Sequence, residues 1–152
     1  MELTKAELSD ANGICDCVQK TIQSIYPKYY SNEIVNFFCN LHCIENIKAD
    51  IQKGDVYKIE MNGKIVATGC MDENHITRVY VLPEKQHMGI GRFIMKELET
   101  KIFEHFDMAI LDTSLAAKNF YRMMGYRAIS VEKVRINDDL IFEYEVMKKS
   151  NA

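Results

Sequence analysis

No apolar run in this sequence approaches the ~20 residues that a membrane-spanning helix needs. The opening residues, MELTKAELSD, carry no apolar stretch of the kind found in a secretory leader. Tryptophan is absent, proline occurs twice and glycine seven times, and no linker, repeat or low-complexity tract divides the chain. Positive charge is not in excess either. The 19 Lys and Arg against 22 Asp and Glu give a net charge of −3, which excludes a global basic field for nucleic acid or an anionic membrane. Stabilising disulfides are not required: a chain of 152 residues can bury roughly two-thirds of its unfolded surface in one core. The five cysteines are an odd number. Cys15 and Cys17, like Cys39 and Cys43 with His42 between them, fall in helical patterns, not on the loops that usually hold zinc. They read as reduced thiols of a soluble cytoplasmic protein with no metal.

What is present reads as one mixed α/β domain over residues 1–152, with 47% hydrophobic and 27% charged residues. Ser9 caps a helix with Ala11, Ile14, Cys15, Val18, Ile22 and Ile25 on one stripe. Tyr26-Pro27-Lys28-Tyr29-Tyr30 interrupts it, and Ser31 opens a second helical stretch that runs through Ile34, Val35, Phe38, Leu41, Ile44, Ile47 and Ile51 to Gly54. The period then changes. Residues 55–61 and 64–71 form strands around an Asn62-Gly63 turn, and 75–82 is a third strand ended by Pro83. A helix opens at Gly89 with Ile90, Phe93, Ile94, Leu98, Ile102 and Phe106 inward. Residues 108–111 are a short strand, 116–124 a helix, and 128–136 and 140–147 two further strands.

The segment Val79-Tyr80-Val81-Leu82-Pro83-Glu84-Lys85-Gln86-His87-Met88-Gly89-Ile90-Gly91-Arg92 carries the chemistry. A strand feeds a glycine-containing loop that opens a helix. Backbone N–H groups at a helix N-terminus are unpaired and the helix dipole is positive there, so the geometry suits a phosphate. Gly89 and Gly91 let the backbone approach an anion, and Lys85, His87, Arg92 and Lys96 bring positive charge. A Walker loop would need G-K-[ST] where Gly91-Arg92-Phe93 stands. A dinucleotide fingerprint would need a third glycine at Ile94.

Gln86-His87-Met88-Gly89-Ile90-Gly91 resembles the Q/R-x-x-G-x-G/A signature of the GCN5-related N-acetyltransferase (GNAT) family, and residues 79–84 look like that family's fourth strand. A second segment, Ser114 to Tyr126, resembles the family's A-x-x-F-Y-x-x-x-G-[FY] pattern through Ala117, Phe120, Tyr121, Gly125 and Tyr126. The resemblance implies an acyl-CoA N-acyltransferase fold: a mostly antiparallel twisted sheet, splayed between its fourth and fifth strands and flanked by helices.

It implies acetyl-CoA as co-substrate. The backbone of Gln86, His87, Met88, Gly89, Ile90, Gly91 and Arg92 would hold the pyrophosphate. Val79, Tyr80 and Val81 would pair with the pantetheine arm, one of their N–H groups serving as an oxyanion donor, and Ser114 would touch the same arm. Tyr121 matches the acid that protonates the departing thiolate. His75 stands where the family often has a glutamate base, with Asp72 and Glu73 as neighbours that could replace it. Tyr26, Tyr29 and Tyr30 would line the acceptor pocket as an aromatic loop, with Glu33 and Asp112 near enough in the pattern to draw in an ammonium. The expected activity is direct acetyl transfer to a primary amine of a small molecule. A coenzyme A-binding sensor without catalysis is the alternative. A homodimer through the last strands, with Ile129, Val131, Val134, Ile141, Phe142 and Val146, completes the expectation.

Overall fold

The computed structural model describes all residues from Met1 to Ala152. In chain order the elements are β1 (Thr4–Lys5), α1 (Ala11–Ile25), α2 (Asn32–Leu41), α3 (Ile44–Lys53), β2 (Val56–Met61), β3 (Lys64–Asp72), β4 (His75–Val81), α4 (Ile90–Phe103), β5 (Met108–Thr113), α5 (Lys118–Met123), β6 (Arg127–Asn137) and β7 (Leu140–Ser150). Short 3₁₀ turns lie at Leu8–Asp10, Tyr26–Lys28 and Pro83–Lys85. The seven strands make one sheet in the order β1-β2-β3-β4-β5-β7-β6. Every neighbouring pair is antiparallel except β4 and β5, which α4 connects and which run parallel. This is the splayed, mostly antiparallel α/β sheet expected from the sequence. No helix is long and apolar enough to cross a membrane.

Alternation along β4 assigns the two faces. Tyr80 joins the apolar cluster beneath α1, α2 and α3, built on Ile14, Val18, Ile22, Val35, Phe38, Ile47 and Ile51. Val79 and Val81 pack on the other cluster, beneath α4 and α5, built on Ile90, Ile94, Met95, Leu98 and Ile102. Gly69 of β3 lies directly under α4, since a Cβ placed there would run into Ile94 Cγ2.

The element boundaries shift in instructive ways. Ser9 does not cap α1; it lies inside the 3₁₀ turn, and Glu7 and Asp10 close a reciprocal capping box there. Cys17 and Thr21 are buried on α1 where the stripe reading had Cys15 and Ile25. Along α4 the buried face takes in Met95 and Glu99, while Phe106 lies beyond the helix end and is 36% exposed. α5 begins at Lys118 and not at 116, β5 runs on to Thr113, and β7 to Ser150.

The largest departure is a break at His42–Cys43 inside what reads as one helical stretch. His42 leaves helical geometry (φ −108°, ψ 40°) and Cys43 caps α3 with extended backbone. No proline or glycine marks the break; a tertiary contact accounts for it. The Arg78 guanidinium of β4, 6% exposed, donates through Nε to His42 Nδ1 at 3.0 Å and through NH2 to Asp50 Oδ2 at 3.0 Å. NH1 points to Cys70 Sγ at 3.8 Å. A buried cation must be paired, and turning the chain at 42 delivers one of its partners. Accepting a bond at Nδ1 keeps His42 neutral, with its proton on Nε2. Burial, with the Arg78 charge adding to it, lowers the His42 pKa to about 3.

Two outcomes are expected. Gly69→Val overpacks the β3–α4 contact and lowers the urea-unfolding free energy by about 1–3 kcal/mol. Stability also falls with acid. His42 takes up a proton near its ordinary pKa of about 6.5 when unfolded but only near 3 when folded. The unfolded state therefore binds more protons between those values, and stability present above pH 6.5 drains as pH falls. Urea titrations at pH 7 and pH 5 should differ by about 1–2 kcal/mol, and His42→Gln should flatten the difference.

Candidate active site

The site starts from a fault in the sheet. Between β3 and β4 the register passes from Cys70↔Arg78 to Met71↔Ile76, so Thr77 is an extra residue on β4. A bulge of this kind bends its strand and sharpens the local twist. β4 and β5 accordingly pair only at His75↔Ile110 and Ile76↔Leu111, and beyond that they part. Leu82 N–H donates to Val66 C=O at 2.9 Å. Bonded and non-bonded pairs alternate along an antiparallel ladder. Tyr80 is therefore bonded to Thr68, while Val79 and Val81 direct their backbone groups away from β3 and into the gap. Of these, the Val81 carbonyl is already taken, by Gln86 Nε2 at 3.0 Å and Thr21 Oγ1 at 3.4 Å. The N–H groups of Val79 and Val81 are the free donors. Tyr80, expected to contribute backbone, spends its backbone on β3 and contributes its side chain.

A cavity of about 330 Å³ occupies the gap, with lining residues from both faces of the sheet. At its outer mouth are Lys85, Gln86, His87, Gly89, Ile90, Gly91 and Arg92. Gly89 is the N-cap of α4 at φ +84°, a left-handed conformation that glycine adopts without strain. The first intrahelical bond of α4 runs from Phe93 N–H to Gly89 C=O at 3.0 Å. The N–H groups of Ile90, Gly91 and Arg92 are thus left without helical partners, with Lys85 and Arg92 side chains beside them. An anion of phosphate type suits this mouth. Gly91 also has a packing role: a Cβ there would lie 3.3 Å from the Phe120 ring. It makes room for α5.

The second motif is held against the first. Gly125 ends α5 at φ +98°, and Tyr126, 3% exposed, donates its hydroxyl to buried Glu99 of α4 at 2.9 Å. Lys149 of β7 donates to the other oxygen of the same carboxylate at 2.9 Å. This anchoring sets Phe120 and Tyr121 into the cavity wall. The Tyr121 side chain is 8% exposed overall, makes no hydrogen bond with any protein group, and is kept protonated by burial, with the nearby Tyr26 reinforcing the effect.

At the inner end Tyr26 comes down from the α1–α2 connection. Its hydroxyl lies 3.1 Å from the Tyr80 hydroxyl and donates to Ser114 Oγ at 3.4 Å. The Tyr80 ring meets the His42 ring edge-on at 5.4 Å, so the buried Arg78 network supports the cavity floor. The other two tyrosines of the aromatic loop do not reach the cavity. Tyr30 packs on Phe38 and Phe142, and its hydroxyl accepts the Leu115 N–H at 2.7 Å. Tyr29 is 49% exposed. No aromatic cage forms, because Tyr26 and Tyr30 are taken up in packing around Phe38.

Met88 also lies outside, 59% exposed, and so does His75. His75 stands at the closed end of the gap, where β4 and β5 still pair, with its Nε2 3.6 Å from Asp112 Oδ1. Asp112 raises the His75 pKa against the opposing effect of burial. Thr21, Ile25, Ala116 and Ala117 line the cavity without having been given a site role in the sequence reading. Ile25 belongs to the helical stripe that reads as core, and Thr21 lies one turn before it on α1. The alanines offer no chemistry to notice, only low bulk.

With this geometry in hand, the comparisons are consistent. The acetyltransferase (GNAT) domain family matches residues 25–141. Among solved structures, a GCN5-related N-acetyltransferase from Rhodopseudomonas palustris superposes with a TM-score of 0.89 at 20% identity, over 98% of this chain and 94% of that one. The PaiA N-acetyltransferase of Thermoplasma acidophilum, solved with coenzyme A, gives 0.77 at 16% identity over 98% of each chain. The protein yncA of Salmonella typhimurium, solved with acetyl-CoA, gives 0.68 at 15% identity over 99% of this chain and 93% of that one. Comparison with curated protein sequences gives no match.

Proposed function

The chain belongs to the acetyltransferase (GNAT) family, and from that premise we propose that it moves an acetyl group from acetyl-CoA directly to a primary amine of a small molecule. The observation that carries the reading is the cavity in the β4–β5 gap, lined both by the start of α4 with its free N–H groups and by Tyr121, whose hydroxyl bonds no protein group. Ile90, Gly91 and Arg92 N–H groups bind the pyrophosphate. Val79 and Val81 N–H groups pair with the pantetheine arm, and one of them receives the thioester oxygen as negative charge develops there. Tyr121 gives its proton to the sulfur as the carbon–sulfur bond breaks.

The incoming amine is an ammonium at neutral pH and must lose a proton before it attacks. His75, with Asp112 behind it, is the base in this reading. An acidic surface balance supports a cationic acceptor. Pairing with a second copy through β6 also belongs to the reading, supported by an edge strand with Ile129 and Val131 about half-exposed.

Isothermal titration with acetyl-CoA and with coenzyme A should give micromolar-range binding that Gly89→Trp abolishes, since a side chain at φ +84° strains the mouth. Absence of binding by the wild type would overturn the reading. In an assay of coenzyme A release against phenethylamine, spermidine, lysine amide and an alanyl dipeptide, Tyr121→Phe should lower kcat by about a hundredfold or more, leaving the KM for acetyl-CoA unchanged. A sensor without catalysis would bind acetyl-CoA and turn over none of these amines.

The base assignment has its own outcome. His75 is active only when neutral, and Asp112 raises its pKa, so kcat/KM should climb through a limb above His75's ordinary value. Asp112→Asn should move that limb to lower pH, and His75→Gln should remove it.

A further inference from the structure

The gap edge of β4 is not evenly open. It presents Val79 N–H, Val79 C=O and Val81 N–H, since both backbone groups of one strand residue face the same side. The fourth group in the row, Val81 C=O, is covered. The 3₁₀ turn at Pro83–Lys85 folds the chain back on itself, with Lys85 N–H donating to Leu82 C=O at 2.9 Å and Gln86 N–H to Pro83 C=O at 3.3 Å. That turn brings the Gln86 amide over the strand it has just left, and its Nε2 donates to Val81 C=O at 3.0 Å. Thr21 Oγ1 also lies 3.4 Å from this carbonyl, but a hydroxyl has one proton, and a 2.7 Å bond to Cys17 C=O claims it. Gln86 is the donor that holds the carbonyl.

The place of this cap along the strand gives it a consequence. Val81 is the last residue of β4 and lies beside the start of α4, where a Cβ on Gly91 would come 3.9 Å from Val81 Cγ2. Val79 is two residues further in. An arm entering from the anion-binding mouth therefore meets Val81 first. The arm of coenzyme A carries two amides, and an amide N–H leaving water needs an acceptor. With Val81 C=O taken, the first free acceptor along the edge is Val79 C=O. Resting on the acetyl-transfer reading, we propose that Gln86 is a positioning residue, whose side chain denies the coenzyme arm the outer register on β4 and so sets the depth at which the thioester sits. The two registers differ by two residues of strand, about 6.6 Å. A displacement of about 1 Å at a reacting centre can already cost about a hundredfold in rate.

The test joins a crystal structure of the wild type with coenzyme A to the acetyl-CoA kinetics of Gln86→Met, which keeps the length of the side chain and removes its donor. In the complex, Gln86 Nε2 should stay on Val81 C=O and an amide N–H of the arm should bond Val79 C=O. An arm amide bonded to Val81 C=O, with Gln86 turned away, overturns the proposal while leaving acetyl transfer standing, and this measurement needs no variant to fold. In Gln86→Met, kcat with the best amine of the panel should fall about tenfold or more while the Kd for acetyl-CoA stays within about threefold. The infrared band of the bound thioester carbonyl, lowered in the wild type by its N–H donor, should return in Gln86→Met toward its position in solution. An unchanged band, an unchanged kcat, or a loss of rate carried wholly by weaker binding overturns the positioning role. Failure of the wild type to bind coenzyme A overturns both readings together.

Discussion

Two residues of parallel pairing hold β4 against β5, at His75 and Ile76, and the extra residue at Thr77 bends β4 away from its neighbour immediately afterwards. The rest of the site depends on that bend. It leaves the N–H groups of Val79 and Val81 facing open space, a condition that backbone donors inside a fold rarely meet without a partner. It also divides the labour of one strand. Arg78 and Tyr80 face the α1–α3 side, where one is locked by His42 and Asp50 and the other meets Tyr26. Val79 and Val81 face α4. A cavity lined by residues of both faces of the sheet is thereby built without breaking either apolar cluster.

Stiffness and reactivity are kept apart in this arrangement. Charged pairs are used as struts at a distance: Arg78 with Asp50, and Glu99 between Tyr126 and Lys149. Neither set touches the cavity directly, yet each fixes an aromatic that does, or its immediate neighbour. Around the reacting centre the groups are neutral hydroxyls and backbone amides. In a confined volume neutral donors can stabilise developing charge without having been desolvated as ions beforehand.

The two motif segments were legible because each needs particular residues for local reasons. Gly89 must take a left-handed φ, Gly125 must end a helix, and a strand must precede the loop. Periodicity was enough for the strands, for the Asn62-Gly63 turn and for the buried stripe of α4. The break at His42 was not legible, since its cause lies 36 positions away in Arg78. The aromatic loop misled for a related reason. Three tyrosines around a proline look alike in sequence, and only the packing on Phe38 and Phe142 separates Tyr26, which enters the cavity, from Tyr30, which grips Leu115. Gln86, a phosphate-loop residue by its backbone in the sequence reading, uses its side chain to cap the Val81 carbonyl.

The contact between Gly91 and Phe120 has a consequence for how this sequence can vary. The ring comes within 3.3 Å of where a methyl group at 91 would sit, so the two motifs touch although nearly thirty residues apart. A methyl group at 91 fits if the Phe120 ring yields by a few tenths of an ångström, whereas a larger residue there presses harder on the ring. Exchange of one segment between homologous proteins would bring a new pair of residues together at this contact.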